Sequence, residues 1–128
     1  MQENSHPYEY AVIRVVPQVE REEFLNVGVI LYCPKQGFLK AMYLLDRERF
    51  KAFSDKIDFD ELDQYLKTWQ RICEGGKNAG PIGLLPIASR FRWLTATRST
   101  MVQTSKVHPG FCINAPETLD CLFGKLVG

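Results

Sequence analysis

The fold is decided by residues 24–45, which read FLNVGVILYCPKQGFLKAMYLL. Residues 24–32 are apolar at almost every position, which is typical of a strand that is buried on both faces. Gly28 within this run predicts a bulge or the close approach of another backbone. Residues 34–37 predict a turn, in which Gly37 can adopt a positive φ. Residues 38–45 then return, so the segment predicts a β-hairpin whose first strand is central.

The stretch before the hairpin, residues 8–16, predicts another strand because it is rich in β-branched and aromatic residues and is followed by Pro17. Strict alternation places Tyr8, Tyr10, Val12 and Arg14 on one face. Arg14 is therefore a charged residue on an apolar face. Either its stem packs while the guanidinium reaches water, or the group has a buried functional role. Together the three strands predict an antiparallel meander.

Helical signals dominate the chain after residue 45. Asp46 is predicted to cap a short helix that carries Phe50 and Phe53 inward. Residues 58–74 predict the clearest helix, with a D-x-x-E start and Gly75-Gly76 at its end. Its apolar stripe at helical spacing is Leu62, Tyr65, Leu66, Trp69, Ile72 and Cys73.

The remaining segments complete an α+β prediction. Residues 75–83 are rich in glycine and predict a loop, and Pro86 is predicted to start a short helix. Residues 98–105 predict a fourth strand at an edge, and residues 114–126 predict a C-terminal helix. The prediction is therefore one α+β domain over residues 1–128, with an antiparallel sheet of three to four strands packed against amphipathic helices.

Composition argues against several classes of protein. The chain is 45% hydrophobic and 24% charged, which is ordinary for a globular protein. No apolar run approaches the roughly 20 residues that span a membrane, and residues 1–6 carry no signal-peptide features, so a cytoplasmic location without membrane association is expected.

The cysteines and histidines predict neither a disulfide framework nor a metal site. None of the four cysteines forms a C-x-x-C pair, and the two histidines belong to no paired-ligand spacing. His108 and Cys112 lie four residues apart, but Pro109 and Gly110 between them argue against a catalytic pair on a helix. The glycine-rich segment fits neither the Walker A nor the dinucleotide fingerprint, so no cofactor is predicted.

Charge is distributed unevenly along the chain. Residues 75–116 contain five basic residues and no acidic ones, whereas residues 1–74 contain 13 acidic and 10 basic residues. Arginine binds carboxylate or phosphate groups with two parallel hydrogen bonds, and neighbouring hydroxyls and amides complete such a site. The predicted binding residues are Arg90, Arg92, Arg98, Ser99, Gln103, Ser105, His108 and Asn26.

Several interpretations of this basic segment stay open. It can bind an acidic protein surface or an anionic ligand, or its arginines can pair internally with the acidic residues 46–63. A small enzyme or ligand sensor would instead need a polar pocket formed by Asn26, Arg98, Gln103, Ser105 and His108. No catalytic motif is legible, so a binding protein is favoured over an enzyme. Nucleic-acid binding is not favoured, because no stacking platform accompanies the charge.

Motifs along almost the whole chain resemble a known family. The combination comprises YEYAVIRVVP (residues 8–17), EREEF (20–24), NVGV (26–29), AGPIG (79–83), RFRWL (90–94), RST (98–100) and QTS (103–105) with Val107 and His108. It resembles a bacterial family of unassigned function, the domain of unknown function 3037. The resemblance supplies no activity or catalytic set. Genes of that family often neighbour those of HipA-like kinases, which implies an accessory protein with a kinase-like partner.

Overall fold

The structure, a computed structural model, describes residues 5–16, 24–53, 58–98 and 100–127. Within them the sheet has five strands: β1 (His6–Val15), β2 (Leu25–Cys33), β3 (Phe38–Tyr43), β4 (Val102–Thr104) and β5 (His108–Cys112). The helices are α1 (Arg47–Phe53), α2 (Phe59–Glu74), α3 (Gly80–Gly83), α4 (Ile87–Leu94) and α5 (Ala115–Leu126). The α+β class is therefore confirmed, and all strand pairs are antiparallel.

The sheet is organised around β1, which has partners on both of its edges. The strands run β3-β2-β1, and the other edge of β1 is shared by β4 and β5. Residues 13–15 of β1 pair with β4, while residues 6–10 pair with β5. Between the two, the Val12 N–H donates to the Ser105 hydroxyl (2.9 Å) and the Val12 carbonyl accepts from the Ser105 N–H (2.8 Å). Ser105 therefore continues the ladder where the chain leaves β4.

Helices cover both faces of the sheet. On one face, β1 and β2 pack against α2 and α4, with Trp69 and Phe91 among the largest fully buried side chains. On the other face, α5 places Leu119 against Val29 and Leu31 of β2. Strand β2 is thus buried on both faces, as its continuous apolar run predicts.

The predicted helix signals are confirmed at the starts of α1, α2, α4 and α5, and Asp46 caps α1 by accepting from the N–H of Glu48 (3.0 Å). Asp58 caps α2 by accepting from the N–H of Glu61 (3.1 Å), and Asn114 caps α5 by accepting from the N–H of Glu117 (3.0 Å). The residue before α4 is Pro86, as predicted. The predicted inward packing of Phe53 lies outside the described side chains.

Three predicted details differ in the structure. The glycine-rich segment is not a plain loop, because residues 77–79 form a 3₁₀ turn and α3 follows it. The predicted fourth strand is shorter, since β4 comprises only Val102–Thr104. The fifth strand, β5, was not predicted because its Pro109-Gly110 pair is typical of a turn. A Cβ on Gly110 would lie 2.4 Å from Cζ of the Tyr8 ring, so glycine leaves room for this ring over β5.

Gly28 shows both features that its place in the strand predicts. The β1–β2 register shifts between Ile13 and Arg14, at the residues opposite Gly28 and Asn26. A Cβ on Gly28 would lie 2.3 Å from the Met42 carbonyl oxygen, so the neighbouring backbone occupies the space of a side chain.

We expect Gly28→Ala to lower the free energy of unfolding by about 2 kcal/mol or more, because overpacking against backbone cannot be relieved by a rotamer change. Gly124→Ala is the matched control: nothing lies within 4 Å of its Cβ position, within α5. Alanine should there stabilise by about 0.5–1 kcal/mol. Urea unfolding of both variants measures the difference, and equal effects would contradict the close approach at Gly28.

Candidate functional site

The three arginines of the basic segment do not converge, and each binds different groups of the protein. Arg90 lies in α4, where its Nη1 donates to the carbonyls of Ile72 (2.9 Å) and Cys73 (2.6 Å) at the C-terminal end of α2. Its Nε donates to the Leu85 carbonyl (3.0 Å). The guanidinium thus caps carbonyls that the helix itself leaves without partners, at the negative end of the helix dipole.

Arg98 does the same for α4. Its Nη1 donates to the Leu94 carbonyl (3.1 Å) and its Nη2 to the Trp93 carbonyl. The guanidinium carbon lies 4.4 Å from the centroid of the Trp93 ring and 5.2 Å from that of Trp69. Burial lowers the pKa of Arg98. The guanidinium nevertheless stays charged near neutral pH, because its ordinary pKa is above about 12.

Arg92 has the one carboxylate partner among these three. Its Nη1 and Nη2 donate to Glu9 of β1 at 2.8 and 2.7 Å, a bidentate pair on the surface. These hydrogen bonds to the Glu9 carboxylate raise the pKa of Arg92. The expected internal partners, residues 46–63, do not provide this carboxylate.

The polar residues of the basic segment also lie apart from one another. Ser99 lies outside the described residues. Ser105 is 7% exposed and its hydroxyl both accepts from Val12 and donates to the Lys106 carbonyl (2.9 Å), so the sheet occupies it. The His108 ring stacks on Tyr10, with centroids 5.2 Å apart.

Two of the predicted residues do lie together, beside an arginine of β1. In the sheet register, Arg14 is directly opposite Asn26 of β2 on one side and Gln103 of β4 on the other. Residues directly opposite in antiparallel strands point to the same face, with Cβ atoms about 4.5–5.5 Å apart. This face is the one that α5 covers, since the Asn26 amide donates to the Leu126 carbonyl (3.3 Å). We call Asn26, Arg14 and Gln103 the Arg14 row.

The Arg14 row contains buried polar atoms without partners. Within the described part of the chain, three buried side-chain atoms have no hydrogen-bond partner, and two of them are Arg14 Nε and Asn26 Oδ1. The third is His6 Nδ1, at the other end of β1. None of the ion pairs among these described residues involves Arg14. Its guanidinium carbon instead lies 4.3 Å from the centroid of the exposed Phe24 ring.

This arrangement can recognise an anion. Arg14 offers a desolvated donor on a permanently charged group, and Asn26 offers an acceptor next to it. The Gln103 amide donates to the Thr100 carbonyl (2.9 Å), which leaves its oxygen available on the other side. Buried polar groups are nearly always paired in folded proteins, so two buried atoms without a partner at adjacent positions make the Arg14 row the candidate binding site.

His108 lies some distance from the row. Tyr10 and Arg14 are four residues apart on β1, which in an extended strand is about 13 Å. The same spacing separates His108 from Cys112 on β5, so these two do not form a catalytic pair. Burial also raises the pKa of the Cys112 thiol.

Metal and membrane features can be assessed for the described ranges only. Among residues 5–16, 24–53, 58–98 and 100–127, no three His, Cys, Asp or Glu side chains are grouped as metal ligands. In the same ranges no helix has the length and apolarity required to cross a bilayer.

A family model described as "Protein of unknown function (DUF3037)" matches residues 10–127. The chain belongs to this family. The match covers every residue of the Arg14 row and the basic segment, but the DUF3037 description assigns no activity to any of them. No curated protein and no solved structure matches the chain significantly.

Arg14 is not among the predicted binding residues, although the sequence leaves a buried functional role open for it. Its position on the apolar face of a strand is visible in the alternation alone. Its neighbours Asn26 and Gln103 follow from the register of three strands, which includes a bulge and cannot be obtained from residue spacing.

We expect Arg90→Ala to destabilise the protein by about 2 kcal/mol, because three carbonyls lose a charged donor. Arg92→Ala is the matched control, and the loss of its exposed ion pair should cost less than about 1 kcal/mol. Urea unfolding of the two variants checks this order. Equal losses would contradict a capping role for Arg90.

Proposed function

We propose that the chain is a non-catalytic binding protein that recognises an anionic group of its ligand, a carboxylate or a phosphate, through Arg14. The observation that carries the proposal is the buried Arg14 Nε, which has no acceptor among the described residues. Leaving a donor desolvated and unpaired costs on the order of 1–3 kcal/mol, and more when the group is charged. A ligand oxygen at this position removes that cost when it binds.

The chemistry of the row favours an anion with a hydrogen-bonding neighbour. A guanidinium presents Nε and one Nη in a plane that matches two oxygens of a carboxylate or phosphate. Phe24 supports one face of the guanidinium and so limits its rotation. Asn26 Oδ1 would accept from a donor group of the same ligand, such as a hydroxyl or an amide.

The row supports this function better than the basic segment does. Six of the nine guanidinium nitrogens of Arg90, Arg92 and Arg98 already have acceptors within the protein. An acidic partner at those positions would have to displace helix-capping bonds or the Glu9 pair. Arg14 requires no such exchange.

An enzyme requires a pocket in which Asn26, Arg98, Gln103, Ser105 and His108 converge. Arg98 caps helix α4, whereas the Ser105 hydroxyl is bonded to Val12 within the sheet. These residues therefore lie in different layers of the fold. The ligand-sensor form of that alternative shares Asn26 and Gln103, but not Arg14, with the present proposal. An accessory role beside a HipA-like kinase stays a prediction, which co-purification with such a kinase would test.

We expect inorganic phosphate and acetate each to shift the side-chain amide signals of Asn26 and Gln103 in ¹H–¹⁵N NMR spectra. Arg14→Met should remove the shifts, because it keeps a chain of similar length and deletes the charge and its donors. Arg92→Met, which removes an exposed cation that is already paired, should leave them unchanged. Which of the two anions binds more tightly distinguishes a phosphate ligand from a carboxylate ligand.

Two results would contradict the proposal. One is the absence of any shift with either anion. The other is a shift that persists in Arg14→Met, since the anion would then bind elsewhere.

A further inference from the structure

A second site lies at the opposite edge of the sheet from β4. A cavity of about 400 Å³ opens between the outer edge of β3 and the helices α2 and α4. Its lining includes Leu39, Ala41, Cys73, Glu74 and Arg90. Cavities that bind small ligands typically have volumes of roughly 300–1,000 Å³. The cavity does not include any residue of the Arg14 row.

The backbone of β3 presents hydrogen-bonding groups to this cavity. The Leu44 N–H donates to the Val27 carbonyl (2.8 Å), which fixes the alternation of the β2–β3 ladder. Leu44, Met42 and Lys40 therefore bond to β2, whereas Leu39 and Ala41 direct their N–H and C=O groups outward. Strand β3 has no other strand beside it among the described residues.

Only one of these two outward positions is available to a ligand. The Ala41 carbonyl already accepts from the Gln70 amide of α2 (3.2 Å). The Ala41 N–H faces the sulfur of Cys73, whose pKa burial raises to about 12, so this thiol stays protonated. Leu39 has no such partner within the described ranges. An extended chain can therefore pair with Leu39 but is stopped by α2 at Ala41.

The charges select which end of a chain fits. Arg90 is partly buried, and its Nε and Nη1 hold carbonyl groups, while Nη2 has no acceptor in the described part of the chain. Glu74 is exposed, so water screens its charge. The partly buried cation therefore dominates, and it favours a carboxylate over an amine.

We propose that this cavity binds the C-terminal residue of a peptide chain. The chain runs parallel to β3 and ends where α2 closes the edge, so the N–H of its last residue donates to the Leu39 carbonyl and the carbonyl two residues earlier accepts from the Leu39 N–H. The terminal carboxylate accepts from Arg90 Nη2. The side chain of that residue occupies the apolar part of the cavity beside Ile87.

The test uses three tripeptides of alanine and the ¹⁵N-labelled full chain. They are the N-acetylated free acid, the N-acetylated C-terminal amide, and the C-terminal amide with a free amino group. We expect the free acid to shift the backbone amide signal of Leu39 and to bind at least about tenfold more tightly than either amide. Equal binding of acid and amides, preference for the free amine, or no shift at Leu39 would overturn the proposal.

A surface variant tests the charge selection without disturbing the cap of α2. Glu74→Lys replaces an exposed carboxylate at the cavity by a cation, so the affinity of the free-acid peptide should rise several-fold. Unchanged or lower affinity would overturn the proposal.

Arg14→Met separates this inference from the proposed function. The variant should leave peptide binding at Leu39 unchanged. If it abolished peptide binding, the carboxylate would be at the Arg14 row, which would overturn this inference while supporting the proposed function.

Discussion

Hydrogen bonding along both edges of β1 is the constraint on which the rest of the structure depends. One edge meets β2, and the other is completed by two short strands that the Ser105 hydroxyl joins at Val12. Without that hydroxyl, a buried N–H in the middle of the central ladder would have no partner. This continuity holds β4 in register beside β1, and so brings Gln103 directly opposite Arg14. The position of the candidate site is therefore a consequence of how the sheet is closed.

The absence of acidic residues between 75 and 116 has a structural explanation. Arg90 and Arg98 bind backbone carbonyls at the ends of α2 and α4, which carry partial negative charge of their own. Cations that neutralise helix ends need no carboxylate in the neighbouring sequence. For Arg90 and Arg98, the uneven charge distribution thus reflects capping by long side chains.

The residue pattern predicts those parts of the fold that depend on local periodicity. The hairpin of β2 and β3, the apolar stripe of α2 and the capped start of α5 all follow from residue types at fixed spacing. Strand β5 does not, because Pro109 and Gly110 favour a turn unless the Tyr8 ring is known to lie over Gly110. The contacts of Arg90 could not be predicted either, because the carbonyls that it binds are 17 and 18 residues away in the chain.

For the Arg14 row too, the sequence shows one part and only the folded structure shows the other. The charged residue on an apolar strand face is visible in the sequence, but its lack of an acceptor appears only when the neighbouring strands are in place. Side chains that are desolvated without a partner reduce stability and are retained where they serve a function. We therefore propose that Arg14 lowers the stability of the free protein and is retained because it binds a ligand.

The free energy of unfolding of Arg14→Met, measured in urea without added anions, tests this claim most directly. Methionine removes the unpaired donor, worth about 1–3 kcal/mol, and loses the contact of the cation with Phe24, worth about 0.5–1 kcal/mol. We therefore expect the variant to be at least as stable as the wild-type protein. A loss of about 2 kcal/mol would contradict it, because Arg14 would then be a structural residue whose bonds hold the sheet together.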